Sequence, residues 1–205
     1  MTGLRYLKHI LDFFMALTGL LVGWPVLLGL ALWVKYDSPG PVLFRQTRLG
    51  REGKPFTLLK FRTMYDYSEE LITRHFEANP EFRLTWDQFQ KLMDDPRLTK
   101  AGKVLRRLSL DELPQLWNVL RGEMSLVGPR PCLPEQRAYY GDQFCWYSAV
   151  RPGMTGLWQV SGRNRLSFAE RVVLDVKYVR EWTLCLDLKV LSLTAGAVIK
   201  KDGAF

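Results

Sequence analysis

Apolar residues run without a single charge from Phe13 to Val34, 22 positions interrupted by Pro25. At ~1.5 Å per residue, a straight helix of that length just crosses a bilayer core of ~30 Å. Proline removes a backbone donor and clashes with the preceding turn, so Gly23-Trp24-Pro25 predicts a bend or an end near the middle. Both flanks are basic: Arg5 and Lys8 precede the stretch, and Lys35, Arg45, Arg48, Arg51 and Lys54 follow it. Lys and Arg mark the cytoplasmic side. A single span strands one basic flank outside, whereas a helix that enters, bends at Trp24-Pro25 and returns keeps both inside. The pattern therefore predicts a re-entrant membrane element over residues 1–37 and a cytoplasmic domain over 38–205. On hydropathy alone, a kinked single span is the alternative. A cleaved leader fits less well, because the run exceeds the ~7–15 residues of a leader core and no A-x-A-like site follows. An all-round apolar helix is also hard to bury in so small a chain.

Beyond the turn Asp37-Ser38-Pro39-Gly40-Pro41, Val42-Leu43-Phe44 and Phe56-Thr57-Leu58-Leu59 predict two strands around Gly50-Arg51-Glu52-Gly53. Residues 66–93 are charged and aromatic with weak helical spacing. Helices are predicted over Leu98–Arg107 and from Ser109 or Pro114 to Leu120. Gly122–Pro134 and Arg151–Asn164 are Gly/Pro-rich and irregular. Phe168, Val172, Val176 and Val179 recur at helical spacing up to Trp182. Leu184, Leu188, Leu191, Ala195 and Val198 form a last stripe. Core packing is the default for both stripes, and beside a membrane anchor either one can instead lie flat in the interface. The fold class is α+β, mostly helical, with one small hairpin.

Of the net charge of +8, most lies near the apolar run: residues 1–62 carry nine Lys/Arg against three acids, and the rest carry 20 against 18. That suits anionic head groups or a phosphorylated ligand near the bilayer. No nucleic-acid-binding signature accompanies it, so nucleic acid is not an expected partner. Three unpaired cysteines read as reduced thiols used as small core residues, and two histidines leave little room for a His-based metal centre.

Chemistry concentrates in Arg106-Arg107-Leu108-Ser109-Leu110-Asp111-Glu112-Leu113-Pro114. Ser109 and Glu112 have capping-box spacing, and Pro114 suits a first turn. Asp111 and Glu112 are then expected at a helix N-terminus, whose dipole holds their pKa values down. First-turn acids are also ordinary caps. However, adjacent carboxylates can ligate a hard cation such as Mg²⁺, Arg106 can grip a phosphate, and an aspartate can be a covalent nucleophile. Lys60 and Arg62, Arg130 between prolines, and Arg151, Arg163 and Asn164 in irregular segments are further groups for a polyanion.

Several segments together carry a resemblance. They are Lys60-Phe61-Arg62-Thr63-Met64, Ser109–Val119, Arg121–Pro131, Arg151–Asn164 (with Leu157-Trp158-Gln159-Val160-Ser161-Gly162-Arg163-Asn164), and Leu174–Val179. In order and approximate spacing the chain resembles the bacterial sugar transferase family, the monotopic phosphoglycosyl transferases, over nearly its whole length.

The resemblance implies transfer of a sugar 1-phosphate from a UDP-sugar to undecaprenyl phosphate, with release of UMP. It makes Asp111 the nucleophile, Glu112 with Asp111 the Mg²⁺ site, and Arg106 a phosphate holder. Lys60, Arg62, Arg130, Arg151, Arg163 and Asn164 would help to seat the donor or its phosphates. Trp24-Pro25 would be the membrane bend. Membrane lipids are implied partners, a homodimer is allowed, and the site is placed on the cytoplasmic face of the bacterial inner membrane. The family often has Ser where Trp24 stands, so another group or water must satisfy the freed carbonyls. Relatives with similar long motifs carry a large N-terminal region with several spans, and this chain reads as a minimal form or a catalytic portion with a family-like ending. A non-catalytic scaffold that binds nucleotide sugars is the competing reading, and the intact Asp111-Glu112 pair argues against it.

Overall fold

The computed structural model describes residues 2–79, 81, 95–162 and 166–200. Helix α1 (Thr2–Asp37) is one 36-residue helix with Pro25 inside it. By rise alone it is ~54 Å long, well beyond a bilayer core. The expected end at Pro25 is not realised. An interior proline costs about 3 kcal/mol, and packing on both sides of it offsets that cost. On the N-terminal side, Lys8, Asp12 and Ala16 are buried; on the C-terminal side, Leu30 and Val34 are. Ala16 joins a cluster with Val119, Met124, Val179 and Val190, while Leu30 and Val34 join Phe61, Ala101 and Leu105. Both ends of α1 therefore rest on the same body. The other face, including Phe14, Leu21, Val22, Trp24, Leu28 and Leu32, is exposed. By length and composition this helix is apolar enough to cross a membrane.

Strands β1 (Leu43–Leu49) and β2 (Pro55–Phe61) form an antiparallel hairpin with Leu43 opposite Phe61 and Leu49 opposite Pro55. Its turn is a single 3₁₀ turn, Arg51–Gly53, as the Gly50–Gly53 signal predicts. Helix α2 (Ser68–Ala78) follows. The Thr99 hydroxyl accepts from Gly102 N and caps helix α3 (Lys100–Arg107). Helix α4 (Gln115–Leu120) starts after Pro114. The Gly/Pro-rich loops hide two short strands, β3 (Ser125–Val127) and β4 (Gly153–Thr155), which pair in parallel. Their backbones meet so closely that a Cβ on Gly153 would collide with Gly128 N, which is why glycine stands there.

Short helices α5 (Arg137–Tyr140), α6 (Phe144–Ser148) and α7 (Leu157–Ser161) surround this layer. Helix α8 (Phe168–Arg180) opens with a capping box between Ser167 and Glu170, and α9 (Leu184–Lys200) closes the described chain. Val172, Val176 and Val179 are buried, as the stripe predicts. Of the cysteines, only Cys132 is buried; Cys145 and Cys185 are exposed rather than in the core.

A buried polar network ties α1 to the other layers. Lys8 Nζ donates to Asp187 Oδ2 at 2.7 Å and lies 3.7 Å from Asp12 Oδ2. Ser125 Oγ donates to Asp12, and Tyr178 Oη and Trp182 Nε1 donate to Asp187. Buried charges persist where partners satisfy them in this way.

Candidate active site

Ser109 adopts a left-handed backbone, φ 55°, between α3 and a one-turn 3₁₀ segment, Leu110–Glu112. For a residue with a Cβ this costs about 1–2 kcal/mol. Leu110 and Leu113 pack against the cluster around Leu105 and hold the turn in place. The result carries Asp111 and Glu112 to a cleft of about 1170 Å³. The capping box expected here does not form, since Ser109 makes no side-chain cap bond.

Three other elements bring cations to the cleft. Lys60, at the end of β2, places Nζ 2.7 Å from Glu112 Oε1 and 4.0 Å from Asp111 Oδ2. Arg106 comes from α3 and donates through Nε to Thr63 Oγ1 at 2.9 Å. Arg130 sits in the loop after β3 and places Nη2 3.3 Å from Glu112 Oε1. That loop is tied down: Gly153 N donates to Pro129 O at 2.8 Å, Arg48 Nη1 to Pro131 O at 3.0 Å, and Cys132 N to Tyr147 Oη at 3.0 Å. Two guanidinium groups, those of Arg130 and Arg171, stand over the Trp158 ring of α7 at 5.9 and 4.8 Å from its centre.

The two carboxyls differ. Burial raises the Asp111 pKa, and the Glu112 charge adds to this, against the pull of Lys60, Arg106 and Arg130. Burial also works against the Glu112 carboxylate, but Lys60 and Arg130 outweigh it and hold its pKa at about 2. The dipole argument expected both to fall. It fails at Asp111 because the residue is only 7 % exposed and its element is one 3₁₀ turn, with α4 beginning later at Gln115. Among the described residues, no donor lies within hydrogen-bond distance of the Asp111 side chain, so its oxygens are free for chemistry in the cleft.

No group of three His, Cys, Asp or Glu side chains is assembled among the described residues. The adjacent Asp111 and Glu112 nonetheless fit Mg²⁺, which takes one or two carboxylates and keeps several waters. A cation beside Asp111 also opposes the burial that raises its pKa.

The other expected residues fall elsewhere. Arg62 borders the cleft, but its guanidinium is committed to the end of α1: Nη2 donates to Ser38 O at 2.7 Å and Ser38 Oγ at 2.9 Å, and Nη1 donates to Pro39 O. Nη2 also donates to Val34 O at 3.4 Å, one of the carbonyls that a helix C-terminus leaves open. Arg151 lines a second cavity, not this cleft. Arg163 and Asn164 lie outside the described residues. Trp24 and Pro25 are exposed on α1. Arg171 was missed: it precedes Val172 in what reads as a core stripe, and only its place next to Trp158 marks it.

Comparisons with known proteins place the chain in a family. A family profile described as bacterial sugar transferase matches residues 4–201. The UDP-galactose-lipid carrier transferase of Erwinia amylovora is 45% identical over 98% of the chain and 42% of that protein. The exopolysaccharide production protein ExoY of Rhizobium meliloti is 43% identical over 97% of the chain and 88% of that protein. The undecaprenyl-phosphate galactose phosphotransferase of Salmonella typhimurium is 43% identical over 98% and 42%. The chain thus spans less than half of the Erwinia and Salmonella relatives and most of the Rhizobium one. With a profile match over residues 4–201, the chain belongs to the bacterial sugar transferase family.

Proposed function

We propose that this chain transfers a hexose 1-phosphate from a UDP-sugar to undecaprenyl phosphate, releasing UMP, as an early membrane step of polysaccharide assembly. The names of the Salmonella and Erwinia relatives support the acceptor and the donor class. The observation that carries the mechanism is Asp111, a buried carboxylate with open oxygens in a cleft lined by Lys60, Arg106 and Arg130. An Asp111 oxygen attacks the sugar-bearing phosphorus. The bond from that phosphorus to the bridging oxygen breaks, and UMP leaves with the electron pair. The lipid phosphate then attacks the same phosphorus and displaces the Asp111 carboxylate. Lys60, Arg106 and Arg130 offset the phosphoryl charge, and Arg171, over the same Trp158 ring as Arg130, adds a further cation to the cleft wall. Asp111 and Glu112 would hold Mg²⁺, which neutralises phosphate charge when bound.

The exposed face of α1 supports membrane association, and its attachment to the domain at both ends supports an element that stays on one side of the bilayer. A helix resting on the same domain before and after Pro25 cannot cross without pulling that domain into lipid. In this reading, α1 bends at Trp24-Pro25 or lies shallowly when embedded, on the cytoplasmic face.

The test is UMP release from UDP-galactose and UDP-glucose in the presence of undecaprenyl phosphate. Release is expected only with Mg²⁺, and Asp111→Asn should lower it by at least about 10³-fold. Retained turnover in that variant removes Asp111 as the nucleophile.

A further inference from the structure

A second cavity, of about 240 Å³, opens at the N-terminal end of α1, and its wall has no residue in common with the Asp111 cleft. Arg5, Lys8 and His9 reach it from α1, Arg51 from the hairpin turn, and Arg151 from the segment before β4. Its cations are unevenly neutralised. Lys8 is paired with Asp187 and Asp12, whose oxygens also take donors from Ser125, Tyr178 and Trp182. Among the described residues Arg51 has only Glu52, 3.6 Å away, and both side chains are more than half exposed. Arg5 stacks over Trp182. Arg151 has no side-chain hydrogen bond or ion pair among the described residues. Burial, then the charge of Arg51, lowers its pKa. His9 Nδ1 is buried there without a partner. Three guanidinium groups, only one of them beside an acid among the described residues, leave this concavity with an excess of positive charge next to an orphaned imidazole nitrogen.

We propose that this cavity binds a phosphate group, and that its occupant is the head group of an anionic phospholipid. Phosphate chemistry follows from the guanidinium groups, which match phosphate oxygens in pairs. The lipid source follows from the position. Tyr6 lines the cavity and is 69% exposed, and Leu4, Leu7 and Ile10 beside it on α1 are also exposed, an apolar bed for acyl chains. The charge near α1 is then more than a diffuse attraction: part of it is a built head-group site that fixes the N-terminal end of α1 at the bilayer surface.

Native mass spectrometry of the full chain in detergent tests this with phosphatidylglycerol, phosphatidylcholine and glycerol 3-phosphate as probes. The chain is expected to retain one phosphatidylglycerol in preference to phosphatidylcholine. Arg51→Ala with Arg151→Ala should weaken that retention by about thirtyfold, from the usual surface contribution of two basic residues. Arg51→Ala alone, at an exposed turn, should weaken it by about fivefold. Lys177→Ala with Arg180→Ala removes the same charge from exposed positions on α8 and should change it by less than about threefold. Equal retention by the Arg51/Arg151 variant, or an equal loss in the Lys177/Arg180 variant, overturns the site. Glycerol 3-phosphate bound as tightly as phosphatidylglycerol overturns the lipid source. The readout is binding, so it stands apart from any result on UMP release.

Discussion

Lys60 Nζ touches Glu112 Oε1 at 2.7 Å while standing 4.0 Å from Asp111 Oδ2, so one ammonium group serves two neighbouring carboxylates unequally. Glu112 is locked as an anion, whereas Asp111 is left open and only partly compensated. In the proposed mechanism this inequality is what would let one carboxylate bind and the other react, although the two are adjacent in sequence.

Lys60→Met should therefore lower kcat by about 100-fold, the usual effect of losing one preorganised cation or donor. It should also lower the Mg²⁺ concentration needed for half-maximal rate, since the carboxylate pair loses the ammonium group that competes with the metal for its negative charge. Steady-state UMP release across a Mg²⁺ titration measures both. Unchanged kcat would mean that Lys60 only braces Glu112.

Arg62→Lys separates a structural from a substrate role. The guanidinium is 4 % exposed and serves Ser38, Pro39 and Val34 at the end of α1. A lysine cannot reach all of these acceptors, and buried unsatisfied carbonyls cost about 1–3 kcal/mol each. The expected result is a markedly lower melting temperature with little change in KM for the UDP-sugar. A raised KM at unchanged stability would return Arg62 to the donor site.

Asp175 sets a pH dependence of stability. It is 1 % exposed, accepts from Tyr140 Oη at 2.8 Å, and burial raises its pKa to about 8. An unfolded aspartate titrates near 3.9. The folded state therefore holds a proton that the unfolded state releases between these values. This contribution is full below about pH 4, declines as pH rises, and is lost above about pH 8. Asp175→Asn, which stays neutral, should melt at a temperature that falls less between pH 5 and 9 than that of the parent chain. Parallel curves would show that Asp175 is already ionised in the fold.

Much of this was legible in the residues. The turn signal at Gly50–Gly53 announced the hairpin, Val172, Val176 and Val179 announced the face of α8, and Asp111-Glu112 stood out beside Arg106. Other features depend on what the chain folds against. Strands β3 and β4 are three residues each, built where Gly128 and Gly153 let backbones touch, and no periodicity can emerge from so few positions. The raised pKa of Asp111 comes from burial by distant segments. Arg62 and Arg151 look like the other loop arginines in sequence, yet one caps a helix and the other enters a separate cavity. The continuity of α1 through Pro25 follows from clusters made with residues more than 60 positions away, such as Ala101 and Val119.

Arg62 grips the end of α1 and lies two positions beyond Lys60, just past the end of β2. With α1 embedded as proposed, a tilt forced by a thinner or thicker bilayer would pull on Arg62 and so, two peptide units away, on the backbone that carries Lys60. On that reading, lipid composition would bear on turnover as a setting of the machine itself, separate from its effect on how much protein reaches the surface.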